Sequence, residues 1–365
     1  MNDELFYQIA LTRVPGIGPV QARILLETLG SAEAVFHCKK GILERINGIG
    51  TVKAQAIHQF NHFNEVTLEI KHIEKHQIEA LCIGSSNYPE RLNHCYDAPT
   101  VLFYKGTNCL QNPKIVSIIG TRNNTEYGKK ITEEIVEALT DYQPLIVSGL
   151  AFGIDSIAHK AALRYKIPTV GVLAHGLCTV YPSQHRFLAA DMQENGGLLT
   201  EFGYDVVADK HFFPKRNRIV AGIADVTIVV ETAVKGGSII TAELAYNYNR
   251  DLFAVPGKIG DSKSAGCLKL IAQNKATILS NMDYLLENMG WKSANKPAPK
   301  QLPLFMEMNE DEQLIYQLLQ NGKEWHIDEL YNRSGLSSSN VAAALLSLEL
   351  NNAICSLPGK RYSCC

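Results

Sequence analysis

The segment Lys210-His211-Phe212-Phe213-Pro214-Lys215-Arg216-Asn217-Arg218 concentrates binding chemistry in this chain. Four Lys or Arg residues lie in nine positions, with two aromatic rings among them and no acid. Fixed positive charge holds phosphates, and an exposed ring stacks on bases. Together they suit a single nucleic-acid strand bound without readout of its sequence. The competing reading puts Phe212 or Phe213 in the core and pairs Arg216 or Arg218 with a carboxylate such as Asp225. It is expected to hold for some of these residues, and is less plausible for all of them once Arg122 is considered.

Four other stretches have the composition of anion-binding loops. They are Gly120-Thr121-Arg122-Asn123, Ser148-Gly149-Leu150-Ala151-Phe152-Gly153-Ile154-Asp155, Ala174-His175-Gly176 running on to Tyr181-Pro182-Ser183-Gln184-His185-Arg186, and Glu231-Thr232 running on to Lys235-Gly236-Gly237-Ser238. Glycines, hydroxyls and helix-start amides are what an anion needs. Arg122 adds a planar, permanently charged fork suited to phosphate. One such loop would be a weak signal; four on one sheet edge are much stronger. The common small ligands fail on spacing. A dinucleotide fold wants G-x-G-x-x-G after its first strand, which Gly120-Thr121-Arg122 does not supply, and no G-x-x-x-x-G-K-[ST] occurs. No cofactor is expected.

These loops need a scaffold. Strand-like β-branched runs at 115–119, 145–148, 169–173, 197–200, 226–231 and 252–255 alternate with helical patterns at 126–140, 155–164, 183–194 and 238–249. That alternation predicts βαβ units and an extended Rossmann-like α/β domain over 65–285 with a mainly parallel sheet. Runs at 78–83 and 101–104 should add strands to its edge. In such sheets ligands bind beyond the carboxyl ends of the strands, where all four loops fall.

Residues 1–64 read as short helices holding two Gly-Ile-Gly turns, Gly16-Ile17-Gly18 and Gly48-Ile49-Gly50. This is a helix-hairpin-helix pattern, whose helix-start amides can hold a phosphate; the alternative is a module that only packs on the next domain. Residues 286–308 read as a Pro- and Lys-rich linker. Residues 309–365, with helices at 311–320, 326–332 and 338–350 and a turn at Pro358-Gly359-Lys360, read as a winged helix-turn-helix. The segment 338–350 carries no Lys or Arg, which favours a protein-interaction or structural role over DNA reading.

Composition sets further bounds. The 365 residues are 46% hydrophobic and 20% charged, with a net charge of −2, so any nucleic-acid binding must come from a local patch. No apolar run reaches membrane-spanning length, and Met1-Asn2-Asp3-Glu4 lacks the start of a signal peptide, so a cytoplasmic protein is expected. Nine cysteines without a C-x-x-C pair read as reduced thiols. His58/His62 and His72/His76 have i,i+4 spacing but no accompanying ligand pattern, so no metal site is expected.

Taken together, Tyr88-Pro89 through Asp97-Ala98-Pro99, Gly120-Thr121-Arg122, the 148–155 loop, Phe213-Pro214-Lys215-Arg216-Asn217-Arg218-Ile219 and Gly237-Ser238-Ile239-Ile240-Thr241-Ala242 resemble the DprA (Smf) family of DNA-processing proteins. The resemblance spans the whole central domain, and the flanking modules fit the family's three-part layout. It implies a non-enzymatic protein that binds and protects incoming single-stranded DNA and helps load the RecA recombinase in natural transformation. It implies a homodimer formed through the central domain. Arg122, Lys210 and Phe213 stand at the family's DNA-contacting positions, with the loops at Ser148-Gly149 and Gly237-Ser238 lining the same pocket. Arg186 lies where some relatives carry a contacting lysine, a departure that leaves its role less secure. Gly120, Thr121, Arg216, Asn217, Arg218 and Lys235 complete the candidate DNA-binding set.

One enzymatic alternative stands beside this. Gly236-Gly237 followed by Glu243 resembles the P-G-G-x-G-T-x-x-E loop of nucleoside-monophosphate phosphoribohydrolases. Lys235 replaces the proline there, and Ile239-Ile240 replace Gly-Thr.

Overall fold

The apolar β-branched runs become strands because helices cover both faces of the sheet they form. The computed structural model describes residues 3–291, 308–320, 324–351 and 353–364. The large sheet contains β1 (Glu79–Cys82), β2 (Val101–Gly106), β3 (Ile115–Ile119), β4 (Leu145–Ser148), β5 (Thr169–Val172), β6 (Gly196–Thr200), β7 (Val226–Val229), β8 (Asp251–Ala254) and β9 (Thr277–Ile278). Their order is β1-β2-β6-β5-β4-β3-β7-β8-β9. From β6 to β9 every pairing is parallel. The edge strands β1 and β2 add in antiparallel fashion beside β6.

Strand order runs outward from β3 in one direction and from β7 in the other. The β3–β7 pair, with Val116 opposite Val226, is therefore the topological switch point, where a crevice opens beyond the carboxyl ends. Below it, one sheet face packs Ile135 and Val136 of helix Glu126–Ala138, Ala158 and Ala161 of helix Ile154–Arg164, and Leu285 and Leu286 of helix Met282–Asn288. The expected domain end at 285 falls inside that last helix. The other face packs Ile219, Val220 and Ala221 from helix Phe212–Gly222 with Ala242 and Ala245 from helix Gly237–Asn247.

The N-terminal helices share their core with the sheet edge: Ile9, Leu25 and Val66 cluster with Val101 and Phe103. Buried Glu69, on helix Phe63–Lys75, accepts from Arg13 at 2.8 Å and from the Tyr204 amide at 2.7 Å. Arg23 donates to the carbonyls of Asn93 and Cys95 at 2.9 and 3.1 Å. Gly16 and Gly48 have φ of 78° and 80°, as the two tight turns require. In the first turn, Gln21 already accepts from the Gly18 amide at 3.2 Å.

The C-terminal module places helices Glu310–Leu319, Ile327–Ser334 and Ser338–Leu350 against a small sheet of β10 (Trp325–His326), β11 (Ile354–Leu357) and β12 (Arg361–Cys364), ordered β10-β12-β11. Its wing docks on the amino-terminal ends of β7 and β8: the Gly359 amide donates to Asp251 at 2.8 Å. Arg250 donates to His326 Nε2 at 3.0 Å, and His326 Nδ1 lies 3.2 Å from both the amide and the carboxylate of Asp328. Of the expected linker, 292–307 lies outside the described residues. Among the described residues seven cysteines are free thiols and Cys355 is disulfide-bonded, a departure from the expected reduced thiols. Among the described residues no helix is long and apolar enough to cross a membrane.

Candidate nucleic-acid interface

The basic aromatic segment is a helix. Phe212–Gly222 starts just after Lys210, with Pro214 in its first turn, where a missing amide hydrogen costs nothing. Helical phase then sorts the side chains. Phe213, Arg216 and Asn217 face an open pocket of about 690 Å³ at the β3–β7 switch point, whose wall also includes Gly120, Thr121, Arg122, Gly149, Asp155, Lys210, Gly237 and Ser238. Phe212 turns the other way, onto Phe202 with ring centroids 4.5 Å apart, and Lys215 lies over it at 5.7 Å.

Phe213 is half-buried and organises the cations. Arg122, exposed on the loop after β3, lies 5.2 Å from its ring centroid, and Arg216 lies at 5.9 Å. Arg216 is buried. It donates to the Gly149 carbonyl, to Val172 O at 2.7 Å and, through Nε, to Asn217 Oδ1 at 3.0 Å. Burial pulls its guanidinium down to about 10; Asp155 opposes that fall and the charge on Arg122 adds to it. Buried Asp155 accepts from the amides of Gly149 at 3.1 Å and Ala151 at 3.4 Å. Burial pushes its carboxyl up, against the pull of Arg216.

Two glycines permit this closeness. A Cβ on Gly149 would sit 2.0 Å from Arg216 Nη1. Gly153 has a φ of +76°, and its Cβ would sit 2.2 Å from the Thr121 carbonyl. The loops after β3 and β4 therefore touch backbone to backbone, and the Ile154 amide donates to Thr121 O at 3.2 Å. On the far side of the crevice, helix Gly237–Asn247 starts at Gly236 with no side-chain cap, so its first amides open toward the pocket. Ser238 Oγ donates to Thr232 Oγ1 at 2.7 Å.

Several candidate residues lie elsewhere. Ser148 is fully buried, and its hydroxyl donates to Ile118 O at 2.6 Å. Arg218, on the opposite side of its helix from Arg216, is buried against Glu201 and the Asp97 carbonyl. The pairing foreseen for Arg216 or Arg218 thus goes to Glu201 and not to Asp225, which holds Arg91 at 2.5 Å and the Ile115 amide at 2.8 Å. Lys235 is exposed at the tip of the 232–238 loop, and Arg186 is exposed at the start of helix Arg186–Glu194; neither forms the pocket wall. Glu243, which a hydrolase would need, is held by Lys275 at 2.6 and 2.8 Å and is also absent from the wall.

The sequence reading did not single out Asp155, Tyr181 or Asp209 as site residues. Asp155 is the buried acid beneath the pocket. Tyr181 meets Phe213 edge to face, with centroids 5.9 Å apart at 64°. Asp209 lines the pocket and accepts from the His211 amide at 2.8 Å. An acid six residues beyond Gly149, opening a helix, was the available signal for the first.

Comparison with known proteins agrees with the fold. Residues 79–290 match the family model "DNA recombination-mediator protein A", residues 294–360 match the DprA winged helix domain, and residues 9–60 match a SAM-like helix-hairpin-helix tandem. Protein Smf of Escherichia coli is 36% identical over 75% of this chain and 74% of its own. DNA processing protein DprA of Bacillus subtilis is 39% identical over 58% of this chain and 71% of its own. The crystal structure of DNA processing protein A from Streptococcus pneumoniae superposes with a TM-score of 0.67 at 32% identity, covering 77% of this chain and 97% of that one. A structure of the Helicobacter pylori protein, described by its single-stranded DNA binding mode, gives 0.54 at 30% identity, covering 59% and 96%. With its sheet, its helical and winged modules and its sequence all matched, the chain belongs to the DprA (Smf) family of DNA-processing proteins.

Proposed function

We propose that this protein binds and protects incoming single-stranded DNA at the β3–β7 switch point and passes it to a RecA-type recombinase during natural transformation. The observation that carries the DNA reading is the gathering of Arg122 and Arg216 beside the half-exposed ring of Phe213, with Lys210 on the wall of the same open pocket. Arg122 and Lys210 neutralise phosphates. The Gly120-Thr121 loop and the uncapped amides at Gly237 and Ser238 share that load. Phe213 stacks on a base. Arg216 with Asn217 holds the pocket floor through Gly149 and Val172, and Arg218 fixes the helix through Glu201. Arg186 and Lys235 meet phosphates beyond the wall.

The Helicobacter pylori relative, whose structure is described by single-stranded DNA binding, supports this choice of ligand. Duplex DNA fits worse, because its bases are already stacked. A recombinase partner and a homodimer that joins two pockets through the central domain are proposed on the family resemblance, and a cytoplasmic setting on the helices, none of which among the described residues is long and apolar enough to cross a membrane. The ion pair between Glu243 and Lys275 supports a binding role over hydrolysis.

Fluorescence anisotropy with labelled strands and duplexes over a salt series tests the DNA reading. With about four or five phosphates neutralised, the log–log slope should be roughly −3 to −4 for a single strand. Arg122→Ala and Lys210→Ala should each weaken binding and make the slope shallower by about 0.7. Equal affinity for strand and duplex, or unchanged binding in both variants, would overturn the reading. Strand exchange by RecA on strands coated with single-strand-binding protein tests the partner: the protein should shorten the lag.

A further inference from the structure

Near the mouth of the pocket, three aromatic rings stand in solvent on the segments that follow β4 and β5, Phe187 among them on the helix that follows β5. Tyr181 is 52% exposed, Phe152 44% and Phe187 83%. Isolated exposed rings are common, but Tyr181 adjoins the pocket and the segments that carry the other two are tied together. Tyr181 touches Phe213 and lines the pocket. Phe152 lies edge to face with His185, centroids 5.0 Å apart at 67°. His185 Nδ1 is 2.9 Å from Leu150 O, which ties the two loops into one surface. Phe187 follows His185 by two residues, in the first turn of helix Arg186–Glu194. That helix packs through Leu188, Ala189 and Met192, so the fold does not use the Phe187 ring. Arg186 stands exposed beside it.

We infer that a single strand seated in the phosphate pocket continues onto this shelf, its bases stacking on Tyr181, Phe152 and Phe187 while Arg186 meets a phosphate. The inference rests on the single-strand reading of the pocket. Two features select the occupant. The shelf starts at Tyr181, which packs on the Phe213 ring, and the exposed cation next to Phe187 suits a polyanion with flat apolar bases. Such a track binds by length of strand and not by sequence.

The test uses the full-length protein and oligothymidylates from 4 to 14 nucleotides. In the native protein affinity should keep rising past the shortest length that binds. Phe187→Ala and Phe152→Ala should each lose roughly fivefold or more on the longer strands and leave the shortest unchanged. Lys210→Ala should weaken binding at every length. 2-Aminopurine placed at successive positions should be quenched beyond the pocket, and that quenching should vanish in Phe187→Ala. Identical length dependence in the native protein and the Phe152→Ala/Phe187→Ala double variant overturns the shelf. So does self-association of the DNA-free protein that Phe187→Ala abolishes, since the occupant is then a second copy. Insensitivity to Lys210→Ala at all lengths overturns the pocket reading instead.

Discussion

Arg122 and Arg216 share one aromatic ring but differ in role because they differ in burial. Arg122 is free to reach a ligand, whereas Arg216 is fixed to two backbone carbonyls above a buried carboxylate. Asp155→Ala would leave the Arg216 guanidinium buried without its counter-charge, which should cost about 3–5 kcal/mol in urea unfolding. The double variant Asp155→Ala/Arg216→Met should recover much of that loss; a single variant within about 1 kcal/mol of the parent would show that the pair carries little. Arg122 and the basic aromatic segment from Lys210 to Arg218 stand out by charge and aromaticity, which need no geometry to be recognised, whereas Phe213 is set apart from Phe212 only by the family resemblance. The contrast between Arg216 and Arg218 could not be read in this way. It depends on helical phase, which puts residues two apart on opposite sides, and no helix was assigned to a segment with Pro214 near its start.

At the scale of elements, the pocket depends on loops that approach more closely than side chains allow. Gly153→Ala should strain a φ of +76° and drive a methyl into the Thr121 carbonyl. The expected result is a loss of about 1–3 kcal/mol in thermal unfolding. Strand affinity should fall as well, because the displaced backbone carries Arg122. Full affinity in a destabilised Gly153→Ala would separate the loop contact from binding. The strands were legible because a parallel sheet covered on both faces demands continuous β-branched runs, as at 115–119 and 145–148. The strand β9 was not, since Thr277 and Ile278 are exposed and too few to form a pattern. The expected boundaries near 64 and 285 fall within helices whose packing crosses them, and such packing is a tertiary property.

Across the whole molecule, the winged module is anchored through polar groups: Arg250 on His326, and Asp251 on the Gly359 amide. Arg250→Ala combined with Asp251→Ala should free it, seen as faster proteolysis between residues 291 and 308 and a larger radius of gyration. Affinity for a single strand should stay within about twofold; a larger loss would mean that the module takes part in binding. The absence of basic side chains on helix Ser338–Leu350 agrees with that expectation. The docked wing meets the amino-terminal ends of β7 and β8, while the pocket proposed for nucleic acid opens beyond the carboxyl ends of β3 and β7. The strands run from one to the other like the shaft of a tool, with the grip and the handle at opposite tips. A partner that takes hold of the winged module would therefore compete for no surface with a strand in that pocket, and cargo and carrier would be engaged together.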